Sequence, residues 1–223
     1  MSEIMDSLPD GPNVFLLQIG AGDGTTGDLI HPYLVRKGWR ALLLEPEATA
    51  FERLCQVYAN TPDVRCCQIA ISDRDGPQNF YSVRNIEGLP WWADQISSLK
   101  RDVIMSHQPM IPDLAGRLDI RPVSCQRVET LIREHSIEAV DIVAVDTEGL
   151  DALIVSDILL AGLAPKVILF EHKHLPTDVR AALHEQLQEH YTVVNGPYDT
   201  LCILRNSSSA PVPDFGCKGL VYE

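Results

Sequence analysis

The chain has few basic residues, no long apolar run and no regular cysteine spacing. It carries 18 Lys and Arg against 31 Asp and Glu, which gives a formal net charge of −13 at pH 7. Nucleic acid and anionic membrane surfaces are bound by clustered Lys and Arg, so this balance argues against both partners. No apolar run approaches the roughly 20 residues of a membrane span. The six cysteines contain no C-x-x-C pair and indicate neither a zinc ribbon nor a disulfide framework.

Length and composition predict one domain. A chain of 223 residues that is 45% apolar can bury one good core but is short for two, so we expect a single domain over residues 1–223. The first six residues include Glu3 and Asp6, whereas a secretory signal begins with basic residues, and we expect a cytoplasmic protein. The polar, Ser-rich stretch over 206–223 predicts a flexible tail. Composition leaves homo-oligomer formation open.

Short apolar runs alternate with segments of helical period, a pattern typical of a parallel sheet covered by helices. Seven strands are predicted, at residues 14–19, 41–45, 65–70, 141–146, 166–171, 191–195 and 200–204. Five helices are predicted, at residues 26–37, 49–59, 127–135, 151–160 and 176–189. Four residues between the last two strands are too few for a crossover helix, so these strands must form an antiparallel hairpin. The prediction is an α/β fold with a seven-stranded, mostly parallel sheet and an antiparallel terminal strand.

Residues 80–121 interrupt this alternation. They contain a short predicted strand, two adjacent tryptophans (Trp91 and Trp92), and a Pro-containing loop with Met105 and Met110. Long loops inside compact α/β domains are commonly lids or binding loops, so we interpret the segment as a lid or substrate-binding insertion. The same large side chains would also suit one edge of the core.

A glycine-rich segment over residues 18–27, QIGAGDGTTG, follows the first predicted strand. Because glycine has no Cβ and tolerates positive φ, such a loop lets the backbone approach a nucleotide-like ligand closely. Glu45 ends the second predicted strand, where a carboxylate can accept hydrogen bonds from ribose hydroxyls. The segment also satisfies G-x-G-x-x-G, so an NAD(P)-dependent oxidoreductase is one interpretation. Against it, that triplet begins several residues beyond the apolar run of the strand.

Five segments match one family in the same order. They are GAGDG at 20–24, LEP at 44–46, AISDRDG at 70–76, SSL at 97–99 and, above all, VDTEGLD at 145–151. Over about residues 14–204 the sequence resembles FkbM-type members of the class I S-adenosylmethionine-dependent methyltransferases. The resemblance implies a Rossmann-like three-layer sandwich and O-methylation of a hydroxyl on a sugar or natural-product small molecule. A non-enzymatic cofactor-binding protein on the same fold stays a further alternative.

The resemblance also implies a set of cofactor-binding residues. The glycine loop would lie against the amino-acid and ribose portions of S-adenosylmethionine, Glu45 would hold the ribose, and Asp73 would bind the adenine amino group. Asp73 would also suit the turn that it begins, although the order of the motifs favours the binding role. Gln18 stands where the family commonly has an acidic residue, so contact with the ammonium group loses charge assistance unless another carboxylate compensates. The implied set is Gln18, Gly20, Ala21, Gly22, Asp23, Gly24, Glu45, Pro46, Asp73, Ser98 and Asp146.

Two polar clusters follow the fourth and fifth predicted strands, at 146–148 and 171–174. Ligands bind beyond the carboxyl ends of parallel strands, so both clusters are expected near the reacting methyl group. A hydroxyl becomes a good nucleophile when it is deprotonated or bound to a metal. The catalytic candidates are therefore Asp146, Glu148, His172 and His174. Helix capping by Asp146 or Thr147 is the structural alternative.

A divalent metal is a further expectation at the same strand ends. Some sugar O-methyltransferases related to this family hold one with carboxylates, and the resemblance permits Mg²⁺ or a similar ion on Asp146, Glu171 and His172. Carboxylates suit Mg²⁺, whereas a histidine nitrogen shifts the preference toward transition metals.

Overall fold

The computed structural model describes residues 1–205 and contains two β-sheets. The strands are β1 (Phe15–Ile19), β2 (Arg40–Leu44), β3 (Val64–Cys67), β4 (Ala70–Ile71), β5 (Gly76–Val83), β6 (Ser97–Ser98), β7 (Leu118–Gln126), β8 (Ile142–Val145), β9 (Val167–Glu171), β10 (Tyr191–Asn195) and β11 (Asp199–Leu204). Seven of them form the main sheet in the order β10-β11-β9-β8-β1-β2-β3. β11 is antiparallel to both of its neighbours, while the other pairings in this sheet are parallel. The predicted fold is confirmed.

Eight α-helices accompany the sheets in the described part of the chain. They are α1 (Ser2–Ser7), α2 (His31–Lys37), α3 (Ala48–Val57), α4 (Arg101–Met105), α5 (Leu114–Arg117), α6 (Val128–His135), α7 (Asp151–Leu160) and α8 (Thr177–Gln188). Successive strand residues enter opposite cores: Leu16 packs with residues of α1 to α3, and Leu17 with residues of α6 to α8. The result is a three-layer sandwich. Within residues 1–205, no helix combines the length and the apolar character needed to cross a membrane.

Two predicted elements have different bounds in the structure. The helix predicted from residue 26 begins at His31, and before it the Asp28 carboxylate accepts hydrogen bonds from the backbone N–H groups of Ile30 and His31 in a turn. The strand predicted over 65–70 divides into β3 in the main sheet and β4 in the second sheet. The predicted tail, 206–223, lies outside the described residues.

The predicted insertion, 80–121, is largely folded and is not one long loop. β4, β7, β5 and β6 form the second sheet, in that order, with β5 and β7 antiparallel along their lengths. Sequence analysis missed β7 because its middle residues, Ile120 to Pro122, are exposed and the strand lacks an apolar alternation. A small core supports the segment and contains Ala93, Ile96, Ile104, Ile111 and Leu114. The insertion places Trp91, Asp94, Gln95 and Ser97 on the wall of a cavity of about 540 Å³.

Candidate active site

A cavity of about 540 Å³ opens at the carboxyl ends of β1, β8 and β9, a size typical of small-molecule sites. Its wall combines the glycine loop, the loops after β2, β8 and β9, and the insertion. Among the described residues that line it, Arg53 is basic and nine are acidic: Asp23, Asp28, Glu45, Glu47, Asp94, Asp146, Glu148, Glu171 and Asp199. This excess of carboxylates favours a cationic ligand over an anionic one.

The glycine loop lies against the chain that leaves β8. Gly20 has φ +79°, and a Cβ at this position would lie 1.7 Å from the carbonyl oxygen of Asp146, so only glycine fits. Gly22, with φ +56°, lines the cavity. A Cβ at this position would have no described protein atom within 4 Å, apart from the neighbouring residues of the chain. Gly24 contacts Leu54 instead, where a Cβ would lie 2.7 Å from the side chain. Gly20 thus allows two backbone segments to pack closely, Gly22 leaves the cavity wall open at its position, and Gly24 allows α3 to pack against the loop.

Asp23 folds the loop back on itself. Its carboxylate accepts hydrogen bonds from the backbone N–H and the hydroxyl groups of both Thr25 and Thr26, at 2.7 to 3.1 Å. These four bonds use most of the acceptor capacity of the Asp23 carboxylate. Asp23 lies on the cavity wall, but its observed contacts are those of a turn.

Glu45 connects the glycine loop with the chain after β2. Glu45 is only 5% exposed. Its Oε2 accepts a hydrogen bond from the backbone N–H of Gly22 at 2.8 Å, and its Oε1 accepts one from the backbone N–H of Glu47 at 2.8 Å. A carboxylate has about four acceptor positions, so two stay available for ribose hydroxyls. Burial raises the pKa of the Glu45 carboxyl to about 7.

This pKa predicts a pH dependence of cofactor binding. The ionised carboxylate, present above pH 7, is the stronger acceptor for ribose hydroxyls, so affinity for S-adenosylhomocysteine should fall about tenfold between pH 8 and pH 6. Calorimetric titration at a series of pH values measures this. Glu45→Gln should bind weakly and show a flatter profile, since it removes the titrating group and leaves the ligand's own titration. An identical profile in both proteins would contradict the assignment.

An apolar recess adjoins the large cavity on the β2 side. Ile19, Ile71, Phe80 and Leu99 are among its walls, and Gly20, Glu45 and Asp146 line both spaces. Pro46, another predicted cofactor residue, also lines the recess. Such walls suit a flat heterocycle adjacent to a ribose held by Glu45.

Asp73 and Ser98, two further predicted cofactor-binding residues, are not among the residues that line the two cavities. Asp73 is outside both cavities, its side chain is 61% exposed, and it accepts a hydrogen bond from the Ser72 hydroxyl at 3.0 Å. Ser98 is fully buried, and its hydroxyl donates to the carbonyl oxygen of Glu148 at 2.7 Å. Ser98 therefore holds the backbone of a catalytic candidate in place.

The 145–151 motif forms a tight loop held by its last residue. The buried carboxylate of Asp151 accepts hydrogen bonds from the N–H and hydroxyl of Thr147, at 3.2 and 3.1 Å, and from the N–H of Gly149 at 3.0 Å. Glu148 is held in the left-handed region, at φ +53°. The side chain that caps this loop is thus Asp151, and not Asp146 or Thr147. Asp146 stays on the walls of both cavities, where burial and the charges of Asp151 and Glu148 raise its pKa.

Loss of the Asp151 carboxylate should loosen this loop. Asp151→Ala leaves the buried donors of Thr147 and Gly149 without a partner, so we expect the free energy of unfolding to fall by about 2 kcal/mol or more. Urea unfolding followed by circular dichroism measures the change. Asp178→Ala, at an exposed first-turn position of α8, is the matched control and should change it by less than about 1 kcal/mol. Equal losses in the two variants would argue against the role of Asp151.

Glu148, Glu171 and His174 converge beyond β8 and β9. Nε2 of His174 lies 2.7 Å from Oε2 of Glu148 and 3.9 Å from Oε2 of Glu171, and the three side chains are 11 to 15% exposed. Glu148 and Glu171 line the cavity, and His174 lies behind them. Burial and the neighbouring charges of Glu148 and Asp146 raise the pKa of Glu171 to about 9. The arrangement can accept a proton or hold a cation.

His172 does not join this cluster. Its ring is buried, and Nδ1 lies 2.8 Å from the hydroxyl oxygen of Thr200. β9 ends at Glu171, so His172 and His174 both lie beyond the strand and strand alternation does not fix the directions of their side chains. The set predicted to bind metal, Asp146, Glu171 and His172, is therefore not the set that the structure brings together. That set is Glu148, Glu171 and His174.

His107, in the insertion, is a buried residue to which the sequence assigns no role. It is 3% exposed, and its ring centroid lies 5.5 Å from that of His174 and 5.6 Å from that of Trp92. The insertion thereby packs directly against His174. An isolated histidine in a Met- and Pro-containing segment offers no sequence signal of such a contact.

Comparison with known proteins agrees with this geometry. A model of the methyltransferase FkbM domain matches residues 18–192. The chain belongs to the FkbM methyltransferase domain family. The predicted family is thus confirmed, and S-adenosylmethionine is the cofactor of the class I methyltransferases to which this family belongs. The match also decides against the dinucleotide-binding interpretation of the glycine loop.

Three solved structures are similar to this FkbM domain to different degrees. The crystal structure of an FkbM methyltransferase from Methylobacillus flagellatus KT has a TM-score of 0.53 and 14% identity, covering 88% of this chain and 44% of that one. Precorrin-6y C5,15-methyltransferase from Geobacter metallireducens GS-15 has a TM-score of 0.44 and 13% identity, covering 90% of this chain and 86% of that one. Aeropyrum pernix fibrillarin, with natively bound S-adenosyl-L-methionine, has a TM-score of 0.43 and 12% identity, covering 89% of this chain and 69% of that one. The chain therefore spans less than half of the FkbM structure. Among curated protein sequences there is no significant match.

Proposed function

We propose that this FkbM domain transfers a methyl group from S-adenosylmethionine to a hydroxyl on a sugar or natural-product small molecule. The observation that supports O-methylation is the position of Glu148, a residue that lines the cavity and whose Oε2 lies 2.7 Å from Nε2 of His174. A carboxylate backed by an imidazole is a suitable general base for an acceptor hydroxyl. The acidic cavity does not favour a polyanionic acceptor, in line with the expectation of no nucleic-acid partner.

The proposed reaction assigns one task to each part of the site. S-adenosylmethionine, when bound, supplies an electrophilic methyl group on a sulfonium. The Glu148 carboxylate takes the acceptor's hydroxyl proton as the oxygen forms its bond to the methyl carbon and the carbon–sulfur bond breaks, its electron pair staying on sulfur. His174 holds Glu148 in place and can receive that proton. The pKa values of Asp146 and Glu171 are raised in the empty site, and a cationic centre beside them would lower these values again, so that the ionised carboxylates would then stabilise it. The walls of the cavity align the two reactants and limit water.

A methyl-transfer screen tests the proposal. The protein is incubated with S-adenosylmethionine and a panel of glycosides and hydroxylated metabolites, and products heavier by one methylene are sought by mass spectrometry. Calorimetry with S-adenosylhomocysteine and, separately, NADH checks the cofactor class. We expect binding of S-adenosylhomocysteine alone and at least one O-methylated product. Methylation of nitrogen or carbon only would overturn the O-methyltransferase assignment, and no binding of the sulfur compound would overturn the whole proposal.

Metal activation of the hydroxyl is a second candidate, favoured by the same cluster. Two atoms that each lie about 2.1 Å from one ion are at most about 4.2 Å apart, and the 2.7 and 3.9 Å distances around His174 Nε2 satisfy this limit. One imidazole and two carboxylates suit Mn²⁺, Fe²⁺ or Zn²⁺ better than Mg²⁺. Such an ion would polarise the hydroxyl in place of proton removal by Glu148.

The two candidates separate in a metal titration. If an ion acts, chelator should stop methyl transfer, and Mn²⁺ should restore it and raise the melting temperature of wild type but not of Glu171→Gln. Activity unchanged by chelator, with no change in melting temperature, would leave Glu148 as the base and reject the metal.

A further inference from the structure

Gln18 has a buried acceptor with no protein partner. The residue is 7% exposed and lines the cavity, and its Nε2 donates a hydrogen bond to Oδ2 of Asp28 at 3.2 Å. Its Oε1 is buried and has no hydrogen-bond partner within residues 1–205. A buried acceptor left unpaired is costly, so this oxygen is expected to meet a donor from a ligand.

Asp28 is fixed beside Gln18. Its Oδ1 accepts hydrogen bonds from the backbone N–H groups of Ile30 at 2.7 Å and His31 at 3.1 Å, at the start of α2. This leaves Oδ2, which faces the amide of Gln18, with further acceptor capacity. Asp28 also lines the large cavity, so one neutral and one anionic oxygen acceptor lie together on its wall.

The position within the site indicates which ligand group meets this pair. Glu45 lines both the apolar recess and the large cavity, so a nucleoside with its base in the recess and its ribose at Glu45 would extend its other end into the large cavity. The part of S-adenosylmethionine beyond the ribose carries an ammonium group. An ammonium has three donors and no acceptor, which complements two oxygen acceptors with one negative charge.

We propose that Gln18 Oε1 and Asp28 Oδ2 together bind the ammonium group of the cofactor, with Asp28 supplying the charge that position 18 lacks. The hydrogen bond from Gln18 Nε2 to Asp28 orients the amide so that Oε1 is free for the ligand. The negative charge thus comes from a residue ten positions further along the chain. This inference rests on the proposed function only in taking S-adenosylmethionine as the ligand.

Calorimetry with two ligands tests it. S-adenosylhomocysteine is compared with its analogue lacking the amino group, using wild type, Asp28→Asn, Gln18→Met and the control Asp102→Asn, which changes an exposed aspartate on α4. Asp28→Asn should weaken S-adenosylhomocysteine about tenfold and leave the analogue within twofold. Gln18→Met should weaken S-adenosylhomocysteine alone, and the control should change neither. Adding Gln18→Glu to Asp28→Asn should restore affinity, because it returns a carboxylate to the pair.

The outcomes separate this inference from the proposed function. Equal weakening of both ligands by Asp28→Asn would show that the residue acts through the fold, and unchanged affinity for S-adenosylhomocysteine would show that it does not bind the ammonium group; either result overturns the inference alone. Failure of the wild-type protein to bind S-adenosylhomocysteine would overturn the proposed function with it. Melting temperatures within about 2 °C of wild type establish that the variants are folded. In a domain of this size, a loss of about 1 kcal/mol in the free energy of unfolding would shift the melting temperature by about 2 to 4 °C.

Discussion

Gly20→Ala is expected to abolish binding of S-adenosylhomocysteine and to lower the free energy of unfolding by about 3 kcal/mol or more. The added Cβ would lie 1.7 Å from the Asp146 carbonyl oxygen. No rotamer change relieves this clash, because the backbone fixes the positions of both atoms. The positive φ of residue 20 adds strain for any residue with a Cβ. The loops after β1 and β8 must therefore separate, which displaces Glu45 and Asp146 together. Denaturant unfolding and calorimetry measure the two effects.

Gly22→Ala is the matched control, because it makes the same substitution at a similar φ two residues away. Its Cβ meets no described protein atom within 4 Å, so the loss of stability should be limited to about 1 to 2 kcal/mol from backbone strain. It should nevertheless weaken cofactor binding, since residue 22 lines the cavity and its N–H bonds to Glu45. A Gly20→Ala protein as stable as Gly22→Ala would contradict the contact with Asp146.

Glu148→Gln is expected to lower the turnover number about 10²- to 10⁴-fold and to leave the affinity for S-adenosylhomocysteine within about twofold. The substitution keeps the shape of the side chain and removes the group that takes the acceptor's proton. The rate is measured with an acceptor identified in the methyl-transfer screen, and affinity by calorimetry. Glu189→Gln, an exposed change beyond α8, is the control and should alter neither quantity.

The His174 variant shows whether the two side chains act as a unit. His174→Gln should lower turnover less than Glu148→Gln does and shift the pH profile, because it removes the imidazole that lies 2.7 Å behind the carboxylate. The double variant should be no slower than Glu148→Gln, since a partner without its carboxylate has nothing left to position. A double variant whose loss of turnover equals the product of the two single losses would indicate that Glu148 and His174 act independently. Full activity of Glu148→Gln would reject Glu148 as the base.

The main sheet was predictable from sequence because helices cover both of its faces. Strands buried on both faces are short continuous apolar runs, which the sequence shows. Every residue of β8 is buried, for example, and its apolar run predicted the strand to within two residues. The reversed strand followed from connection length alone. β7 was not predictable, because its middle is exposed and its pairing with β5 depends on residues some forty positions earlier.

The sequence predicted where the cluster of Glu148, Glu171 and His174 would lie, but not which residues would form it. Its residues follow strand ends that the apolar pattern located, so Glu148, Glu171 and His174 were all candidates from the start. The pattern could not show that β9 ends at Glu171 and that His172 turns toward Thr200 while His174 turns toward Glu148. A shift of one residue in a strand end changes the face to which the next side chains belong.

The sequence by itself determined the fold class, the family and the part of the chain where cofactor and chemistry meet, because periodicity, glycine spacing and strand ends are local properties. The tertiary structure decided which side chains come together: Asp28 with Gln18, His107 with His174, and Gly20 with the backbone of Asp146. These are contacts between segments distant in sequence or separated by a turn, and their geometry follows from packing of the whole domain. Local residue patterns carry no record of such distances.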